Sequence, residues 1–290
     1  MKIQTVNSLA ELNNVAKQLP TATIVPLYEK DGTPITEYVG IRNDDTKEIV
    51  RVFTKDYSLV QHGEVLETVS EVLTELGLKG KAELCISRDG ARLSAYIVFD
   101  EKIIKDDNQG IQFGIKIDNS FDGGQALKFS SFGRRLACYN GMVINQAFKN
   151  QVIYHYKIKE AKPRIAAMVR EAINRDDAFQ AIVNNAMKES FAWQALQKFI
   201  LDLIQSERWL AKKHLDKILE KIGVSLVVVT DKKTKTKKYR FVKEEGVSLK
   251  KWDLYNAFTE YISHNDKLSY SLRSVLERIS ERVLIAPTMA

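Results

Sequence analysis

Apolar residues recur with two different periods along this chain. Up to about residue 155 they alternate with polar ones in short runs, among them "EYVGIR", "EIVRVF", "LCISRDGARLSAYIVF" and "IQFGIKI". Alternation with period two buries one face of a strand, and these runs are rich in β-branched and aromatic side chains, so they predict strands. Arg88-Asp89-Gly90-Ala91 predicts a hairpin, because Asp-Gly supplies the positive φ angles of a tight two-residue loop. One stretch breaks the alternation. "HGEVLETVSEVLTELG" places Val65, Leu66, Val69, Val72, Leu73 and Leu76 on one helical face, with Gly77 as its stop.

From about Lys159 the helical period takes over. Pro163 suits a first helical turn, and "AFQAIVNNAMKESFAWQALQKFILDLIQ" and "RWLAKKHLDKILEKIG" continue the spacing. "SLVVVT" and "KYRFV" predict a hairpin near 224–243 around a polar loop at 231–238. Ser248 is the expected N-cap of "LKKWDLYNAFTEYISH", whose Trp252, Tyr255, Phe258 and Ile262 form a core stripe. A last helix covers "LSYSLRSVLERISERVL". The expected fold is α+β: an antiparallel β-meander in the N-terminal half packed with a helix, then a mainly α-helical half with a short hairpin. Twelve of the 14 glycines lie at or before Gly141, which agrees with a turn-rich first half. The natural cut gives domains 1–155 and 156–290, which can still pack as one unit.

Composition narrows the function. The 290 residues are 44% apolar and 28% charged, as in an ordinary globular protein. No apolar run reaches the roughly 18 residues of a membrane span, and "MKIQTVNSLAELNN" lacks an apolar signal core. A cytoplasmic protein without membrane contact is expected. Cys85 and Cys138 stand alone, which disfavours a disulfide framework or a cysteine zinc site. There is no P-loop, G-x-S-x-G or G-x-G-x-x-G, and the four histidines have no metal-binding spacing. No catalytic residue and no cofactor is assigned.

Charge points to an anionic partner: 44 basic against 37 acidic residues give +7 at pH 7, with a pI near 9.1. The densest candidate is "FDGGQALKFSSFGRRLACYNGM", residues 121–142. Lys128, Arg134 and Arg135 would hold phosphates there while Phe132 and Tyr139 stack on bases, the combination that single-stranded nucleic acid requires. The competing reading makes the rings core and the charges solvated. Neighbouring arginines on a strand point to opposite faces unless Gly133 marks a bulge. Lys235, Lys237 and Lys238, in the lysine-rich hairpin loop, form a second patch that either reaches phosphates or keeps an edge strand soluble. Asp118 and Asp122 could share a Mg²⁺ ion, or could simply accept turn hydrogen bonds.

The order "YSLVQHGEVLETV", "SRDGARLSAYIVF", "FDGGQALKFSSFGRRLACYNGM" and "WDLYNAFTEYISH" resembles the DUF932 family, also called the phage/plasmid-like protein family. The resemblance runs from about Tyr57 to Leu284. Its most specific pieces are Asp122-Gly123 followed by Ala126-Leu127, the Arg135-Leu136-Ala137-Cys138 to Asn140-Gly141-Met142 run, and Tyr255-Asn256 with Thr259-Glu260-Tyr261. Tyr139 stands where a small residue is usual. The resemblance implies a phage, plasmid or integrated-element setting, and it carries over no catalytic residue. Three functions compete: a single-stranded DNA-binding protein that promotes annealing or recombination as a homo-oligomer, a metal-dependent nuclease, and a module that binds a host protein.

Overall fold

A computed structural model describes residues 2–107, 110–135, 141–144, 151–158, 160–207, 212–230, 237–265 and 267–287. The strands and helices are β1 (Lys2–Val6), a 3-10 turn (Leu9–Glu11), α1 (Leu12–Ala16), β2 (Ala22–Tyr28), β3 (Pro34–Asn43) and β4 (Ile49–Thr54). Then come α2 (His62–Glu75), β5 (Gly80–Ser87), β6 (Arg92–Ile104), β7 (Ile111–Ser120), β8 (Leu127–Arg135), β9 (Gly141–Ile144) and β10 (Gln151–Ile153). The rest is α3 (Ala161–Ile173), α4 (Asp176–Lys188), α5 (Trp193–Ser206), α6 (Lys212–Glu220), β11 (Val224–Thr230), β12 (Lys237–Lys243), α7 (Lys251–Ser263) and α8 (Tyr270–Ile285). The α+β class read from the two periods is the class observed.

Two compact units divide the chain, and not at one cut. The first comprises 1–104, 111–134 and 148–177; the second comprises 105–110, 135–147 and 178–290. Helix α3 belongs to the first unit because it packs on α2 and β7.

In the first unit, the strands of the main sheet run in the order β1-β5-β6-β7-β8-β10. Leu84, Leu93, Ala95, Ile97, Phe99, Phe113, Ile115 and Ile117 occupy its inner face and are fully buried. The other face is polar, with Glu83 and Cys85 on β5, Ser94 and Tyr96 on β6, and Lys116 and Asp118 on β7. Helix α2 buries the expected Val65, Leu66, Val69, Val72 and Leu73, each contributing roughly 1.5–3 kcal/mol. Leu76 instead caps the helix and is exposed. The β5–β6 hairpin turns as expected at Asp89 and Gly90, with φ of 50° and 90°, and Arg88 also takes a positive φ of 54°. Strands β2, β3 and β4 form a separate antiparallel sheet. Ala22 and Ile41 from that sheet join Tyr57, Ala91 and Phe121 in a second core, with Val50, Phe53 and Leu59 packed against it.

In the second unit, α7 packs on α6 and α8, and the β11–β12 hairpin packs on α6. The α7 stripe of Trp252, Tyr255, Phe258 and Ile262 is buried as expected, with the Trp252 and Tyr255 rings stacked at 5.6 Å. Ser248 does not cap this helix. The helix begins at Lys251, and Lys250 takes the N-cap position without a side-chain bond. Lys251 is itself buried, and its ammonium lies 2.6 Å from Glu189. Among the described residues no helix is long and apolar enough to cross a membrane.

Candidate nucleic-acid interface

The residues of β8 do not form the open stacking surface that their composition suggests. Phe132 is 2% exposed, and its ring meets Tyr96 edge-on at 5.2 Å and 61°. That expectation is corrected: Phe132 is a buried ring packed against Tyr96 on the polar face of the sheet, not an open platform. Arg134 reaches across the sheet to Glu83 at 3.2 Å, with its side chain 24% exposed. Its charge is matched by an acid and is not free for phosphate. Lys128 is half-buried and lies opposite Val152 on β10. Tyr139, Lys235 and the side chains of Arg135, Lys237 and Lys238 lie outside the described residues.

The two aspartates of the metal reading have separate commitments. Asp118 accepts from the Ser94 hydroxyl at 2.6 Å and faces Lys116 at 3.6 Å. Asp122 binds Arg92 Nε at 2.8 Å and the Gly124 amide at 2.9 Å. Among the described residues no group of three or more His, Cys, Asp or Glu is arranged to hold a metal ion. Cys85, on the same face as Asp118, has its thiol pKa pushed up by burial and then by Glu83.

Around Asp122 the structure assembles a cluster that sequence reasoning missed. The Phe53, Tyr57 and His155 rings stack in a column, with centroid spacings of 4.0 and 5.5 Å. The Tyr57 hydroxyl lies 3.3 Å from His155 Nδ1. Burial raises the Tyr57 pKa, and the nearby Asp122 carboxylate adds to the rise; burial likewise lowers that of His155. His62 lies flat on Phe121, with centroids 3.9 Å apart. Its neighbours fix its tautomer. Asn119 Nδ2 donates to the Val60 carbonyl and to His62 Nδ1, both at 3.0 Å, so His62 Nε2–H donates to the Gly90 carbonyl at 3.1 Å. Burial drives the His62 pKa down to about 4, which keeps the ring neutral.

The glycine pair is what allows this corner to close. A Cβ on Gly123, whose φ is +67°, would sit 2.7 Å from the Phe53 ring. A Cβ on Gly124 would sit 2.1 Å from the Arg92 guanidinium. Segments beginning at Tyr57, Arg88 and Phe121, distant in sequence, therefore meet at one place. No short-range signal announces that. Only the shared punctuation of Asp-Gly and Gly-Gly marks backbone that must pass close to something.

The family model for a domain of unknown function, DUF932, matches residues 50–283, which is most of the chain. The protein belongs to the DUF932 family. No curated protein and no solved structure matches it. Both the ring cluster and the helices and hairpin described next fall inside the DUF932 match.

In this DUF932 protein an exposed cationic surface lies in the second unit. Helix α6 buries Leu215, Ile218 and Leu219, which turns Lys213 and Lys217 outward. His214, between them, has its pKa lowered first by burial and then by the charges of those two lysines. Its Nδ1 and the Tyr261 hydroxyl on α7 share a hydrogen bond of 2.6 Å, in which the ring tautomer sets the donor. On the hairpin, Val224 and Leu226 point inward and are buried. The opposite side carries Val227, Val229 and Val242, at 43%, 48% and 45% exposure, with Arg240 directly across from Val227. Lys243 stands exposed at the hairpin base. Lys212 and Lys221 are paired with Asp216 and Glu260. Lys213, Lys217, Arg240 and Lys243 make no ion pair among the described residues. Arg240 and Lys243 were legible as part of a basic run. Lys213 and Lys217 were hidden in an amphipathic helix, and their i, i+4 spacing on the polar side was the available signal.

Proposed function

We propose that this DUF932 protein binds nucleic acid, single-stranded DNA foremost, on the surface formed by α6 and the outer side of the β11–β12 hairpin. The observation that carries the reading is a group of exposed cations with no ion pair among the described residues, on one small substructure: Lys213 and Lys217 on the helix, Arg240 on the outer side of the hairpin and Lys243 at its base. Cations already matched by carboxylates gain little from a phosphate, whereas unpaired ones release counterions from the strand. The three exposed valines favour a single strand. Apolar side chains gain by covering base faces, which a duplex keeps stacked inside. The net charge of +7 adds long-range attraction. The reading extends to strand annealing or recombination in the cytoplasm, in the mobile-element setting that the family resemblance implies. Annealing needs no cofactor once strand repulsion is neutralised.

Fluorescence anisotropy of labelled single strands and duplexes, over a series of salt concentrations, tests the reading. The wild type is expected to prefer the single strand and to lose affinity steeply with salt. A Lys213→Ala/Lys217→Ala/Arg240→Ala variant should lower the slope of log K against log salt by about 2, at roughly 0.7 per lost phosphate contact. An Arg134→Ala variant should bind as the wild type does. A triple variant with unchanged affinity and slope would remove this surface from the account.

A further inference from the structure

The two edges of the β2-β3-β4 sheet are not alike. Strand β2 carries Pro26, which has no N–H to donate, and its register shifts between Pro26 and Leu27. The missing N–H of the proline blunts this edge against further pairing. Strand β4 has the sequence IVRVFT, with no proline and a single charge; its register on β3 shifts at Val50, and the regular stretch 51–54 beyond that bulge pairs only with β3 among the described residues. Its side chains Ile49 and Val52 are 48% and 47% exposed. Tyr38, across from Thr54, extends the exposed apolar face on which Val52 lies. Unpaired backbone groups beside outward apolar side chains make a template for strand addition.

We propose that β4 pairs antiparallel with β4 of a second copy of this chain, about a two-fold axis at Val52, joining two three-stranded sheets into one of six strands. The charge pattern of the strand selects this occupant and this register. With the axis at Val52, Arg51 lies directly across from the partner's Phe53, which places a guanidinium beside an aromatic ring on both sides of the axis. An axis one residue earlier would oppose two arginines, and like charges directly opposite are destabilising. Arg51 has no ion pair among the described residues, so the partner's ring is a gain without a competing carboxylate. A chain of net charge +7 repels its own copies, and an interface between copies has to form where charge is sparse. Strand β4 meets that requirement with one cation in six residues. The Val52 side chain also covers the partner's Val52, hiding from water an apolar surface that each monomer leaves exposed.

Sedimentation equilibrium of the full chain over a range of concentrations, with circular dichroism and melting curves as the check on folding, is the primary test. The wild type should be a concentration-dependent dimer. Val52→Lys opposes two ammonium groups at the axis and should weaken the dimer more than about a hundredfold. Arg51→Ala removes two cation–ring contacts and should weaken it by roughly 5- to 30-fold. Val52→Cys should cross-link to itself on mild oxidation, because residues directly opposite across an antiparallel axis lie within disulfide reach. Tyr28→Cys on the blunted edge should cross-link no faster than the wild type, which retains Cys85 and Cys138. A wild type that stays monomeric at its highest soluble concentration overturns the proposal. So does a folded Val52→Lys dimer of unchanged affinity, a Val52→Cys chain that does not cross-link, or a monomer that takes an unrelated extended peptide on β4 instead.

Discussion

Lowering the pH from 7 to 5 should weaken this fold through one imidazole. His62 is fully buried, and its pKa is driven down to about 4 from an ordinary 6.5. For a base depressed in the folded state, the stabilisation is present above the unfolded value of 6.5 and is lost as pH falls toward 4. The gap corresponds to about 3 kcal/mol when the protonation is complete. Between pH 7 and 5 the unfolded ring gains most of its proton while the folded ring gains almost none, so about 2 kcal/mol of that is lost. His155 is shifted in the same direction and adds to the effect. Asp31 and Asp44, whose folded pKa values lie below 3.8, respond only at more acidic pH, whereas Asp253, whose pKa burial raises, acts in the opposite sense to the histidines. Urea unfolding at a series of pH values measures the slope, and His62→Gln should flatten it by about 2 kcal/mol over the same interval. Because that variant also loses its bonds to Asn119 and Gly90, NMR titration of the wild-type ring provides an independent reading. A His62 ring that titrates near pH 6.5 in the folded protein, or a wild type equally stable at pH 7 and 5, would refute the reasoning.

Two substitutions test the same corner from other sides. Gly123→Ala forces a side chain onto a left-handed backbone and into the Phe53 ring, and should cost about 1–3 kcal/mol, measured as a fall in melting temperature. Asn119→Leu removes the donor to the Val60 carbonyl and to His62 Nδ1, and should cost about 1–3 kcal/mol for each buried acceptor left bare. Asn119→Leu should also free the His62 tautomer, visible as a changed ring nitrogen shift in the folded state.

The period of the apolar pattern carried the fold class well, because burial of one face is a local property of strand or helix. That is why the α2 face and the α7 stripe of Trp252, Tyr255, Phe258 and Ile262 were legible, as was the turn at Asp89-Gly90. The candidate site was less legible, for a physical reason. Whether Phe132 stacks on a base or meets Tyr96 edge-on depends on which side chains the neighbouring strands set beside it, and alternation cannot report that. Arg134 meets Glu83 across 51 residues of chain, and no local pattern encodes such a pair. The cluster of Tyr57, His62, Asn119, Asp122 and His155 is non-local in the same way. Only its glycines left a trace, as breaks in an otherwise regular alternation.

The path of the chain through its two compact units restricts how the protein can be divided. Residues 105–110 and 135–147 leave the first unit and belong with the second, and the chain returns after each excursion. A truncation at any single residue therefore removes part of one body or strands a fragment of the other. A C-terminal fragment starting at residue 178 would lack two segments of its own unit. Neither unit can be completed during synthesis until the later segments have emerged, so folding of the two is tied together by connectivity alone. Expressing the first unit alone would call for a rewired chain in which the two excursions are replaced by short linkers, and expressing the second would call for joining both excursions to residues 178–290.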